Sequence, residues 1–289
     1  MGDHIFDIVI YAFVIFTAVV TTYPLIYVVS MSISNPVSAA RGDVWLFPVG
    51  IDFTAIRKIL SDPQVLTYYG NTIWYTVVGT VCAIIVTCLA AYPLSRKEFV
   101  HRNLVSKIIM ITMFFSGGVI PTFIVVSKFL KLYDNRWVIV LASLTSAWHI
   151  IVARSFFMSL PDEIVESARL DGASEYRIFG QLMMPLSKPI IAVLALYNAV
   201  GHWNAYFNAM LYISDKKLQP LSLYIRTVVI QNNLSSLMGS AEALSAEEIL
   251  AALQLKYGVI VISVLPMLII YPFISKYLEK GLMIGAVKG

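Results

Sequence analysis

The residues that could do chemistry are few. His149 and His202 are the only side chains in the chain's uncharged stretches that titrate near neutral pH. No His-Glu-x-x-His zinc pattern occurs, and no aspartate lies in those stretches, so an intramembrane enzyme lacks its usual groups. Asn198 and His202 stand four apart, as do Asn204 and Asn208, so each pair shares a face of one helix. Tyr197, Trp203 and Tyr206 interleave with them. Polar side chains of this kind face a bundle interior or a watery cavity. They either bond helix to helix or meet a solute, and His149 beside Trp148 reads as structural. Cys82 and Cys88, six apart, point to different sides of a helix and read as small buried hydrophobes.

A chain sorted between two solvents carries these groups. Of its 289 residues 58% are hydrophobic and 13% charged, against about 45–50% and about 25% in a soluble domain. Six stretches hold no charge: Ile8–Ile33, Gly70–Ser95, Ile108–Ser127, Trp137–Ala153, Pro189–Ile213 and Tyr257–Ser275. A helix needs about 17–25 apolar residues to cross a core of roughly 30 Å, and all six qualify, Trp137–Ala153 only just. Continuous apolar runs argue against a barrel, whose strands alternate. The composition therefore predicts an all-α integral membrane protein with six transmembrane helices. No room remains for a large ATP-hydrolysing, kinase or dehydrogenase domain. A net charge of +4 with no basic tail gives no reason to expect nucleic acid.

Ser38-Ala39-Ala40 loosely resembles a signal cleavage site. The preceding apolar run is too long for a signal core, and Asp3 and Asp7 lead it with no Lys or Arg, so a retained helix is expected. Pro93 and Pro121 predict kinks in the second and third helices. Tyr23, Trp45 and Tyr212, near span ends or in adjoining loops, read as interface anchors. Ser245-Ala246-Glu247-Glu248 fits a capping box, so the sixth helix is expected to begin there, before its apolar run. Lysines and arginines divide 11 to 10 between the two sides, a near tie. The four basic residues of Arg96–Lys107 tilt the choice toward that loop and both termini being cytoplasmic.

The most specific segment joins the fourth and fifth helices. It reads Leu160-Pro161-Asp162-Glu163-Ile164-Val165-Glu166-Ser167-Ala168-Arg169-Leu170-Asp171-Gly172-Ala173-Ser174, then Phe179, then Met184-Pro185-Leu186-Ser187-Lys188-Pro189. Pro161 suits a first helical turn, and Asp162 and Glu163 suit its positive end. Ile164, Val165 and Ala168 form a narrow apolar face, Gly172 suits the left-handed residue that ends a helix, and Ser174 can cap a second short helix. The predicted product is a helix–turn–helix knuckle. It could lie on the membrane surface or plug into a partner's groove.

These residues resemble the EAA loop of binding-protein-dependent ABC importer permeases, in the form used by carbohydrate importers. Glu166-Ser167-Ala168 stands for Glu-Ala-Ala and Met184-Pro185 for Leu-Pro. Phe115-Ser116-Gly117-Gly118-Val119-Ile120-Pro121-Thr122 looks like the branch that imports complex oligosaccharides. So do Gly201-His202-Trp203-Asn204 with Tyr206-Phe207-Asn208, and the ending Lys280–Gly289.

The resemblance, to a maltose-importer-like inner-membrane subunit, implies a type I ABC importer permease fold in a bacterial cell membrane, with both termini cytoplasmic. It implies residues 1–69 as first helix and outer loop, 70–277 as the transmembrane domain with the EAA loop at 160–189, and 278–289 as a cytoplasmic tail. Implied partners are a second homologous permease, two copies of a cytoplasmic ABC ATPase, an extracytoplasmic solute-binding protein and an oligosaccharide. ATP and Mg would be held by the ATPase, with no cofactor on this chain. Glu166, Ser167, Ala168, Asp171, Gly172 and Ala173 are the implied ATPase-coupling positions. Tyr197, Asn198, His202, Trp203, Asn204, Tyr206 and Asn208 are candidates for the substrate pathway, since sugars are held by aromatic faces and hydrogen-bonding groups. Lys216, Lys217 and Arg226 read either as a solvated outer loop or as a group that guides an acidic sugar or meets the binding protein. The competing class is an ion-coupled secondary transporter of small solutes. Such carriers keep ionisable groups inside their spans, and here no Asp, Glu, Lys or Arg is present there.

Overall fold

An uncharged run in lipid must satisfy its own backbone, and a helix does so within one segment. The computed structural model is helical in every long element. It describes the backbone of residues 2–286 apart from Ser116, Thr145 and 238–245, and the side chains of 5–230 and 250–272 apart from the same two. Three helices are long and apolar enough to cross a membrane unbroken, with spans Ile5–Ser32, Pro63–Ser95 and Leu250–Pro272. The second begins at Pro63, directly after Asp62 and seven residues before Gly70, through a further uncharged segment, and Pro63 opens it at a position where the missing N–H costs nothing. The last lies within helix Ala246–Ala286. That helix starts where the capping box predicts, although the box's side chains lie outside the described residues.

The other three stretches are helices with a break. The third runs as Arg102–Phe114 and, after Phe115–Gly118, as Val119–Ile124 continued by a wide turn at Val125–Phe129. The fourth is Trp137–Ala142 and Ala147–Ser159, and the fifth is Lys188–Trp203 and Tyr206–Tyr212. Hydrophobicity cannot foresee these breaks, because uncharged residues make them. Gly118 sits at φ +82°, Ser146 caps the helix after it by accepting from the His149 N–H, and Asn204 donates to the Val200 carbonyl. The expected kinks are displaced accordingly. Pro93 falls in the last turn of an unbroken helix, and Pro121 falls in a first turn just after a break, where its missing donor is harmless.

The chain divides into two compact units, residues Met1–Thr67 with Tyr224–Pro266, and Tyr68–Leu223 with Met267–Gly289. In the first, Gln254 Nε2 donates to the Ser34 and Asp52 carbonyls at 3.0 and 3.1 Å. Tyr27 meets Tyr257 edge-on at 6.2 Å, and Met31, Ala39 and Val44 form a small core against Leu253. The loop after the first helix folds into the short helices Pro36–Arg41 and Thr54–Ser61.

In the second unit two apolar clusters lie at opposite ends of helix Pro63–Ser95. One gathers Tyr75, Val126, Val138–Val140, Ala209 and Tyr212. The other gathers Cys88, Ala91, Tyr92, Leu94, Ile150, Ala153, Phe157, Ile190 and Leu194 with Val165, Ile178 and Met183 from the knuckle. Cys88 is buried and both cysteines are free thiols. Tyr212 is buried too, stacked on Phe123 at 5.7 Å, and so is not an exposed interface anchor.

Candidate functional site

The knuckle forms as its residues require. Its first limb is helix Asp162–Leu170, with Pro161 in the capping position and both acids in the first turn. Its end is a complete Schellman turn: the Ala173 N–H reaches the Ala168 carbonyl at 3.0 Å and the Gly172 N–H the Arg169 carbonyl at 2.9 Å. The turn needs a left-handed residue, and Gly172 supplies it at φ +78°. No heavy atom lies within 4 Å of where a Cβ on Gly172 would stand, so within this chain the demand for glycine is conformational alone.

The second limb runs Glu175–Leu186, with a wide turn at Ile178–Met183, and bends by 79° at Ser187 into Lys188–Trp203. Ser174 precedes it, but the side chain makes no capping bond, contrary to expectation; only its carbonyl serves, accepting from Ile178 N–H.

Burial divides the coupling candidates. Ala168 and Ala173 pack against the apolar cluster, whereas Glu166, Ser167, Asp171 and Gly172 are exposed. Ser167 Oγ donates back to the Ile164 carbonyl at 3.1 Å. The small residues are thus the inner side of the knuckle, and the acids and the glycine are its outer side. Two residues with no assigned role flank the tip: Leu170 and Tyr176, each 89% exposed. A groove of about 390 Å³ runs between the limbs, lined by Ala168, Asp171, Ala173, Arg177, Gln181 and Leu182 among others.

Charges fasten this knuckle to the end of helix Pro63–Ser95. Lys97 Nζ meets Asp162 at 2.7 Å, while Arg169 pairs with Glu98 and, at 2.8 Å, with Glu175. Tyr92 donates its hydroxyl to Glu175 at 2.9 Å. The hydrogen bond from Lys97 holds the Asp162 carboxyl below its ordinary pKa, and that from Arg169 does the same for Glu98. Arg169 and Lys97 are pushed up in return, first by their hydrogen bonds to these carboxylates. Arg96 is 8% exposed, its guanidinium 5.1 Å over the Tyr92 ring and 3.3 Å from the Phe157 carbonyl. The basic cluster at Arg96–Lys107 is plain in the sequence, but its partners in the knuckle and at Phe157 lie more than 60 residues away and carry no local signal.

The pathway candidates are not one surface. Asn198 and His202 do share a buried face, yet Asn198 donates to its own Leu194 carbonyl and His202 Nδ1 bonds the Asn198 carbonyl at 2.8 Å. The His202 ring lies against Gly79 so closely that a Cβ there would stand 2.3 Å away, so the pair locks two helices together. Trp203 is buried, edge-on to Tyr69 at 5.9 Å. Asn204 and Asn208 do not share a helical face, because the helix breaks between them at Asn204–Ala205. Asn208 instead donates to Ser143 Oγ at 3.1 Å, and Asn204 is exposed. Tyr206 is 42% exposed. Tyr197 is 52% exposed and sits 5.1 Å from Trp148, edge to face, with His149 at 6.2 Å. Lys216 and Lys217 are exposed in a short turn, with Lys217 N–H bonded to Asp215. Among the described residues no group of three or more His, Cys, Asp or Glu is arranged to hold a metal ion.

Residues 83–284 match the family described as binding-protein-dependent transport system inner membrane component. Protein LplC of Bacillus subtilis (strain 168) is 37% identical over all of this chain and 96% of its own length. The polygalacturonan/rhamnogalacturonan transport system permease protein YtcP of the same organism is 34% identical, end to end in both chains. Among solved structures, a chain from a bacterial ABC transporter involved in the import of the acidic polysaccharide alginate superposes with a TM-score of 0.86. It is 35% identical, over 96% of this chain and 98% of that one.

Proposed function

Since this chain belongs to the binding-protein-dependent transport system inner membrane components, multi-pass membrane permeases of ABC transporters rather than enzymes, we propose that it is the permease subunit of an ATP-driven importer for oligosaccharides or polysaccharide fragments. Full-length likeness to a polygalacturonan/rhamnogalacturonan permease and to a chain of an alginate importer supports an acidic sugar chain as cargo. In this reading the chain stands beside a second, related permease. An extracytoplasmic binding protein delivers the sugar, and both termini face the cytoplasm. Two copies of a separate ATPase bind ATP and Mg there.

The observation that carries the coupling part is the knuckle's division of labour. Its inner side, through Val165, Ala168, Ala173 and Ile178, is part of a core shared with three helices of the bundle, Pro63–Ser95, Ala147–Ser159 and Lys188–Trp203. Its outer side offers Glu166, Ser167, Asp171 and Gly172, with Leu170 and Tyr176 beside them. A closing ATPase that grips this outer side tilts what the inner side is packed into. The left-handed turn at Gly172 keeps the tip narrow enough to enter a groove. Opening and closing of the sugar pathway then follows the nucleotide cycle, with no chemistry on this chain. Tyr197, Tyr206 and Asn204, the exposed members of the fifth-stretch set, are the residues offered to a sugar. His202, Trp203 and Asn208 hold the helices that carry them, and Asn198 bonds within its own helix.

Purification of the tagged chain from its native membrane in mild detergent, with mass spectrometry of stoichiometric partners, tests this. An ATPase and a second permease should co-purify, and Gly172→Trp should lose the ATPase while keeping the permease. A chain that purifies alone and moves solute without ATP would refute the importer reading and restore the ion-coupled carrier.

A further inference from the structure

We infer that Arg96, backed by Tyr92, is the positioning residue that carries displacement of the knuckle into helix Pro63–Ser95, a span with which the knuckle shares no chain connection. The inference rests on the coupling role proposed above for Asp162–Leu186.

The knuckle is continuous with two spans only. Leu160 and Pro161 lead into it from Ala147–Ser159, and Ser187 leads out of it into Lys188–Trp203, so both neighbours feel its motion through the backbone. Helix Pro63–Ser95 has no such link and must be moved through side chains. Arg96 is the residue immediately beyond that helix, and its guanidinium touches four elements. It donates to the Phe157 carbonyl at 3.3 Å, lies 3.9 Å from Met183 sulfur in the second limb, and lies 3.9 Å from Asp162 at the start of the first. It also stacks over Tyr92 in the helix it terminates.

A buried guanidinium is costly unless it is surrounded by acceptors, so these contacts fix its place. Its Nε is buried with no partner, a donor left over for a second arrangement of the same four elements. Tyr92 gives the joint its second arm: its hydroxyl holds Glu175, which Arg169 ties to Glu98. Push on either limb therefore reaches the end of Pro63–Ser95 by a hydrogen-bonded route. The same helix carries Gly79, the seat of His202 in the fifth stretch, so its tilt also reaches the pathway candidates.

The test is the ratio of ATP hydrolysed to sugar moved, for the complete complex in lipid vesicles loaded with the co-purified binding protein and its sugar. Arg96→Met keeps the length and apolar volume of the side chain and removes the fork. It should leave hydrolysis within about twofold of wild type while transport falls about tenfold or more. Tyr92→Phe should show the same split, smaller. A residue of merely structural importance would lower both rates together, so parallel losses in an intact complex overturn the inference, as does an unchanged ratio in both variants. If Arg96→Met does not assemble, Arg96→Lys and Tyr92→Phe are read by the same criterion. Failure of the wild-type chain to bind an ATPase at all would instead overturn the coupling role itself, before any variant is made.

Discussion

The two ends of helix Pro63–Ser95 are fastened by different chemistry. At its beginning, neutral side chains reach the backbone of a distant loop. Asn71 donates to the Lys217 and Gln219 carbonyls at 2.7 and 3.1 Å, Tyr75 donates to that of Leu218 at 2.7 Å, and Thr72 accepts from the Leu221 N–H. Arg136 completes the collar, bonded to Asn71 Oδ1 at 2.6 Å and stacked over Trp74. At the other end, around the apolar core that both share, the polar contacts between helix and knuckle are chiefly ion pairs, most of them exposed, set around one buried arginine.

The difference teaches which end can move. A buried backbone group that loses its partner costs about 1–3 kcal/mol, so the collar tolerates one geometry. Exposed ion pairs are individually weak and accept changes of distance, so the knuckle end can shift and stay attached. An importer needs this asymmetry on the proposed reading: a fixed frame at one end and a mobile grip at the other.

Breaking the fixed end should have the largest effect on stability. Asn71 is 3% exposed, and Asn71→Ala strips partners from two carbonyls and from Arg136. A loss of about 3 kcal/mol is expected, seen as a lowered unfolding temperature in detergent. A variant as stable as wild type would show that the collar does not fix this end.

Between the ends, Gly79→Ala forces a methyl into the His202 ring. It should destabilise by about 1–3 kcal/mol, and His202→Ala in the same chain should remove most of that penalty. Additive losses would mean the two residues are not a lock. At the mobile end, Gly172→Ala meets no atom and carries only the left-handed penalty of about 1 kcal/mol. Stability should barely change, while binding of the ATPase weakens more for Gly172→Trp than for alanine. Equal effects would place the glycine's importance in the turn rather than in the groove.

The smallest effect is that of pH. Asp162 and Glu98 are held below the ordinary carboxylate range, so their contribution is complete above about pH 4–5 and is lost as pH falls through their lowered values. Lys97 is raised, so its contribution is complete below the ordinary lysine value and fades only as pH rises past it. Hydrogen exchange in Asp162–Leu170 should therefore be flat in thermodynamic protection from pH 5 to 9, about the window these values leave. Loosening near neutral pH would contradict the pairing.

Much of this was legible in the residues themselves. Solvent sorting marked the chain as a helical membrane protein. Asp162, Glu163 and Gly172 marked both ends of the knuckle's first limb, because helix starts and left-handed stops are local chemistry, satisfied within a turn or two. The family likeness rested on the same segment. What spacing could not reveal was where an uncharged run stops being helical. The rule that residues four apart share a face placed Asn204 with Asn208, and it failed because a break divides them. Whether Ser146 starts a helix or Asn204 ends one depends on what packs around it.

The same limit applies to charge. Sequence determined that Arg96, Lys97, Glu98, Asp162, Arg169 and Glu175 lie outside the spans, since lipid excludes them. Tertiary structure alone decided that Arg96 is buried while Lys97 is exposed, and that the glycine at position 79 is the seat of a histidine more than 120 residues away. Membrane residence is a property of summed hydrophobicity and can be read from composition. A joint is a property of distances between residues remote in sequence, which exist only once the chain has folded.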